Sequence, residues 1–73
     1  MGKQIRRDFE DERGSYQIVS GSAHDMNAAL GIWVELADYP PEGYHLWSGK
    51  VQRSDRGRRS SYEVWYRKTK SYR

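Results

Sequence analysis

Ser22-Ala-His-Asp-Met-Asn-Ala-Ala-Leu-Gly-Ile-Trp-Val-Glu-Leu-Ala-Asp38, closed by Tyr39-Pro40-Pro41, is the stretch on which the architecture turns. Met26, Ala29, Leu30, Trp33, Leu36 and Ala37 recur at helical spacing and would share one apolar stripe. Ser22 is a candidate N-cap, and Asp25 follows three residues on, where a first-turn carboxylate also suits the helix dipole. Pro40 and Pro41 stop a helix, because neither has an N–H to donate and each disfavours the α conformation in the residue before it. The pattern predicts one helix over residues 23–38.

A strand reading competes for the same residues. Leu30, Ile32, Val34 and Leu36 alternate with Gly31, Trp33, Glu35 and Ala37, and Gly31 costs a helix about 1 kcal/mol relative to Ala. Under that reading Asp38–Gly43 is a hairpin loop and the protein is a small all-β barrel. The helix is preferred because its stripe begins four residues before Leu30 and has a cap signal ahead of it.

On either side of this stretch the pattern changes to strands. Residues 15–20, Ser-Tyr-Gln-Ile-Val-Ser, alternate with apolar groups on both faces, which suits a central strand. Residues 44–52 and 60–68 form two more strands, each with a Trp, joined by the polar turn Arg53-Ser-Asp-Arg-Gly-Arg-Arg59. Residues 1–14 are dense in both charge signs. Ile5, Arg7 and Phe9 alternate, so this segment is either an edge strand or a loosely held arm, and the arm is preferred. The expectation is an α+β domain over residues 15–68: a three-stranded, mainly antiparallel sheet with one helix on one face, in the order β-α-β-β. A basic tail follows at residues 69–73. Ile18, Met26, Leu30, Trp33, Leu46 and Val64 form its expected core.

Tyr16-Gln-Ile-Val-Ser, a helix, Gly43-Tyr44-His-Leu-Trp-Ser-Gly and the closing Tyr62-Glu-Val-Trp-Tyr-Arg-Lys together resemble a group of very short bacterial and phage domains of unknown function. Their pattern is Tyr-x-hydrophobic-hydrophobic, a helix, Gly-Trp-x-Leu, and a final strand ending in a basic residue. Tyr44 departs from it where Trp is usual, as does the Asp38-Tyr-Pro-Pro-Glu insertion before Gly43. The resemblance implies the element order. It implies no activity.

With 73 residues the chain is one domain at most. Such a chain buries only about 60% of its unfolded surface, so its core is marginal. It has no cysteine, hence no disulfide staple and no thiolate ligand or nucleophile. A marginal, unstapled core favours a homo-oligomer. No apolar run approaches the roughly 20 residues of a membrane span, and no apolar segment follows the basic residues of the N-terminus, so a cytoplasmic location is expected.

His24 and His45 have no carboxylate at ligand spacing, and a metal site needs three or four convergent ligands, so neither metal nor cofactor is expected. No nucleophile elbow and no phosphate-cradling glycine motif occurs, and the carboxylates cluster where water reaches them. The expectation is a non-enzymatic protein. What remains is the interleaving of aromatic and basic residues in the last third. Residues 1–38 hold four Lys and Arg against seven Asp and Glu; residues 39–73 hold nine against three. The candidate partner-binding residues are Trp47, Trp65, Arg53, Arg56, Arg58, Arg59 and Arg67. If Tyr62, Val64 and Tyr66 face the helix, Trp65 and Arg67 face away on a bare sheet face; the inverted parity is also open. Two functions fit. The first is an interaction module that binds or masks a larger protein or pairs with a second copy. The second is a nucleic-acid binder using the sheet aromatics and the basic hairpin loop.

Overall fold

The alternation of Ile5, Arg7 and Phe9 is that of a strand, and in the computed structural model, which describes residues 4–54 and 59–70, it is one. The elements are β1 (Ile5–Asp11), β2 (Gly14–Ala23), α1 (Met26–Asp38), β3 (Tyr44–Arg53) and β4 (Ser60–Lys68). They build an α+β fold with one helix on an open four-stranded sheet, ordered β1-β2-β4-β3, with every pairing antiparallel. The sheet therefore has one strand more than the three expected. The extra strand is held by a two-residue turn in which the Asp11 Oδ1 accepts from the N–H groups of Arg13 (2.8 Å) and Gly14 (3.2 Å). β2 and β3 both run antiparallel to β4, so they are parallel to each other and need the long crossover that α1 supplies.

The helix displaces the barrel alternative, but its start and its buried side differ from the expectation. β2 runs on through Ser22 to Ala23, so Ser22 is a strand residue. The cap is Asp25, whose carboxylate accepts from the Ala28 N–H at 2.8 Å. Ala28, Ala29, Ile32, Trp33 and Leu36 face the sheet, packing on Val19, Ala23, Tyr62, Val64 and Tyr66. Leu30 is half exposed (50%) and Leu46 is 38% exposed, so neither is core. The true stripe is rotated toward Ile32 and Ala28. A thirteen-residue helix with nine apolar positions offers several overlapping stripes, and the sheet selects one of them. At the C-terminus the Tyr39 N–H donates to the Glu35 carbonyl (3.2 Å) before Pro40 ends the helix. Gly43 then turns the chain into β3 at φ 85°, a left-handed conformation suited to glycine.

One bulge sets the two faces of β3. Leu46 pairs with Tyr66 and Ser48 with Trp65, leaving Trp47 as the extra residue. Leu46 and Val51 are five positions apart, an odd spacing that would put them on opposite faces of a regular strand. The bulge brings both to the helix side and sends Trp47 to the other. Gly49 then lies under Trp33, whose indole N–H donates to the Glu63 carbonyl at 3.0 Å. Among the described residues no helix is long and apolar enough to cross a membrane.

Candidate binding face

The sheet face opposite α1 is the candidate site. Strand parity places Ile5, Arg7 and Phe9 of β1 there, with Tyr16 and Ile18 of β2, His45, Trp47 and Lys50 of β3, and Glu63, Trp65 and Arg67 of β4. Tyr16 and Ile18 are buried although no layer covers this face, and aromatic neighbours crowd round Tyr16. Tyr16 is the hub. Its ring centroid is 5.8 Å from Trp65, 5.9 Å from Phe9 and 6.5 Å from Trp47. Phe9 also meets Trp65 edge-on at 6.2 Å, and His45 meets Trp47 at 6.4 Å. These are the tilted and edge-to-face arrangements that ring quadrupoles favour.

Arg67 is clamped into the cluster. Its guanidinium carbon stands 4.5 Å over the Trp47 ring and 5.8 Å from that of Tyr16. It donates to the Arg13 carbonyl across the β1–β2 turn and passes beside Gly14, which holds a positive φ of 152°. Trp65 is oriented by its own indole N–H, which donates to the Glu63 carboxylate at 3.0 Å. Trp65 is thus held by a hydrogen bond and Trp47 by its stack on Arg67.

Arg13, Arg67, Lys68 and Lys70 lie at the same end of the sheet, with Asp11 and Glu12 of the β1–β2 turn beside Arg13. Two shallow recesses, of ≈ 350 and ≈ 330 Å³, flank the Arg67–Lys70 segment; His45 borders one and Arg13 the other. Thr69 anchors this segment, donating its N–H to the Gly43 carbonyl at 2.8 Å and lying 3.0 Å from His45 Nδ1 through its hydroxyl. No Lys or Arg occurs between Arg13 and Lys50, so α1 itself carries Glu35 and Asp38 with no Lys or Arg, although Arg6 and Arg59 stand beside it.

The residues expected from sequence divide into two groups. Trp47, Trp65 and Arg67 come together. Arg53 and Arg59 lie at the other end of the β3–β4 hairpin, where Arg53 pairs with Ser60 and Arg59 donates to the Ser22 hydroxyl at 2.7 Å. Arg56 and Arg58 lie outside the described residues. The expected hairpin-tip site is therefore remote from the aromatic cluster, because antiparallel strands place the tip at the far end from Lys68. Sequence reasoning missed Phe9, Tyr16, Arg13 and Lys70 as members of one surface. The Ile5-Arg7-Phe9 alternation was the signal for the first of them. Comparison of the chain with family models, with curated proteins and with solved structures finds no match.

Proposed function

We propose that the chain is a small, non-enzymatic binding module of the cytoplasm whose open sheet face takes single-stranded nucleic acid. One observation carries the reading: aromatic rings and Arg67 share one sheet face, and Arg13, Lys68 and Lys70 stand at the same end of the sheet. Trp47 (51% exposed) and Phe9 (44%) offer ring surface to bases, at about 1–3 kcal/mol for each base stacked. Arg13, Arg67, Lys68 and Lys70 are within reach of the phosphates that would follow. Duplex DNA keeps its bases stacked away from such a platform, so single strands are the preferred form.

A second reading has its own support. Ile5 is 54% exposed and continues the apolar surface of Phe9, a composition suited to a second copy of the chain or a larger protein partner. Fluorescence anisotropy of a labelled oligothymidine separates the two, alongside sedimentation equilibrium of the chain alone. The nucleic-acid reading expects binding whose logarithm falls with log salt at a slope of roughly −3, for four phosphate contacts at about −0.7 each. It also expects weaker binding of duplex, and loss on Trp47→Ala. Absence of oligonucleotide binding together with a stable dimer that dissociates on Trp47→Ala would transfer the face to self-association.

A further inference from the structure

Both lateral edges of the sheet are open, because β1 and β3 each pair on one side only. An open edge offers unpaired N–H and C=O groups to any strand that can approach it. The two edges differ in what they allow. β3 is broken by the bulge at Trp47, and its charged residues Lys50 and Arg53 have no acidic residue among them. A second β3 would meet like charge there. β1 is regular over its seven residues and exposed throughout. Within the described residues α1 rests on β2, β3 and β4 and not on it.

The charges of β1 are divided along the strand. Arg6 and Arg7 come first, and Asp8, Glu10 and Asp11 follow. β2 gives them no counter-charge: Val19, Ile18, Gln17 and Ser15 stand opposite Arg6, Arg7, Asp8 and Glu10. Among the described residues none of these four charged side chains enters an ion pair. Arg6 donates only to the neutral Gln17 side chain, at 2.9 Å. Cations at one end and anions at the other are thus left for a partner to match.

We infer that β1 pairs antiparallel with β1 of a second copy, about a two-fold axis normal to the sheet, so that two chains build one eight-stranded sheet. Antiparallel pairing lays the basic start of each strand against the acidic end of the other, so the edge is complementary to itself; a parallel partner would set like charge on like. The two-fold axis makes one residue face its own copy. With Arg7 on the axis, Arg6 faces Asp8 of the second copy and Ile5 faces its Phe9, the two large apolar side chains that this edge exposes at 54% and 44%. With Asp8 on the axis, Arg6 faces Glu10 and Arg7 faces Phe9 of the second copy. In each register one like pair on the axis is outnumbered by favourable pairs beside it. The axis keeps both ring clusters on one side of the joined sheet, uncovered. Edge pairing is therefore independent of what the sheet face binds.

Charge exchange in the full chain tests it. Arg6→Glu with Arg7→Glu makes the edge acidic throughout, and Asp8→Lys with Glu10→Lys makes it mainly basic. Sedimentation over a concentration series should show the parent dimerising and each double variant alone weakened roughly tenfold or more. An equimolar mixture of the two variants should restore association, which a misfolded variant could not do. Amide exchange of the parent should show protection that rises with concentration at alternate residues of β1. Trp47→Ala, on the other edge strand, should leave the dimer unchanged. The proposal is overturned by a parent that stays monomeric through the series, by double variants that dimerise as the parent does, or by a mixture that fails to associate. It is equally overturned if the protection falls on β3, or if Trp47→Ala abolishes the dimer, for then the copies meet through the ring face.

Discussion

Gly49 shows how one missing side chain sets the position of an aromatic ring. A Cβ built there would stand 2.5 Å from the Trp33 indole nitrogen and 2.6 Å from the Glu63 carbonyl, both closer than atoms can pack. The indole can lift away from the first contact, but the second is backbone, so the β3–β4 ladder must shift as well. Gly49→Ala should therefore cost about 1–3 kcal/mol and blue- or red-shift the Trp33 emission, seen by denaturant titration with fluorescence. An unchanged midpoint would mean that Trp33 does not rest on β3. Ser60 is the converse case. Its hydroxyl is buried with no hydrogen-bond partner among the described residues, so Ser60→Ala removes an unmet polar group and should leave stability unchanged or raise it by up to about 1 kcal/mol. Tyr66 carries the pH dependence. Burial pushes its phenol above the ordinary value of 10.0, with the Arg6 charge pulling the other way, and its hydroxyl donates to the Leu36 carbonyl at 2.6 Å. A raised folded-state pKa means the unfolded chain gives up this proton first. The stabilisation is thus complete below 10.0 and is lost as pH rises through the folded value. Denaturation midpoints should fall on the alkaline side, and less steeply in Tyr66→Phe.

At the scale of elements, α1 and β3 each carry more than one legible pattern. The helical segment has apolar residues on both flanks, and the register of β2 and β4 beneath it decides which flank is buried. That choice reverses a simple expectation about truncation. Leu30→Ala, which the sequence pattern marks as a core deletion, should cost under about 1 kcal/mol because the side chain is half exposed. Ile18→Ala should cost about 2–5 kcal/mol, since Ile18 is buried beneath the aromatic cluster on the uncovered face. Thermal melts of the two variants check both at once. The bulge at Trp47 is the corresponding feature of β3. It reconciles Leu46 and Val51 with one face, and in doing so it delivers Trp47 to Tyr16 and Arg67. The binding-face ring is thus a by-product of satisfying the core.

Over the whole molecule, folding brings basic residues from both halves of the chain to one end of the sheet. Arg13 of the β1–β2 turn, with Asp11 and Glu12 beside it, meets Arg67, Lys68 and Lys70, while Arg53 and Arg59 stand at the other end. Neither Lys68 nor Lys70 is buried or bonded into the core, so reversing both to Glu should leave the melting temperature within a degree or two. The same change should remove most oligonucleotide binding at low salt and flatten the salt slope. A double reversal that binds as well as the parent would show that these cations do not meet the ligand.

The element types were legible in the sequence wherever a period was strong. Alternation marked β2 and β4, the apolar spacing with Pro40 and Pro41 marked α1, and the alternation at Ile5-Arg7-Phe9 allowed β1 without requiring it. Trp47, Trp65 and Arg67 could be singled out as a surface because aromatic and basic residues interleave there. What only the tertiary structure decided was phase and neighbourhood. Which flank of α1 is buried, which way β3 faces beyond its bulge, and that β1 pairs at all depend on contacts between residues far apart in the chain. Local periodicity states that a face exists, and the packing of distant elements states which face it is. For the same reason the arginines of the hairpin and the rings of the sheet, close in sequence, stand at opposite ends of a strand, while Phe9, Tyr16 and Trp65, far apart in sequence, touch.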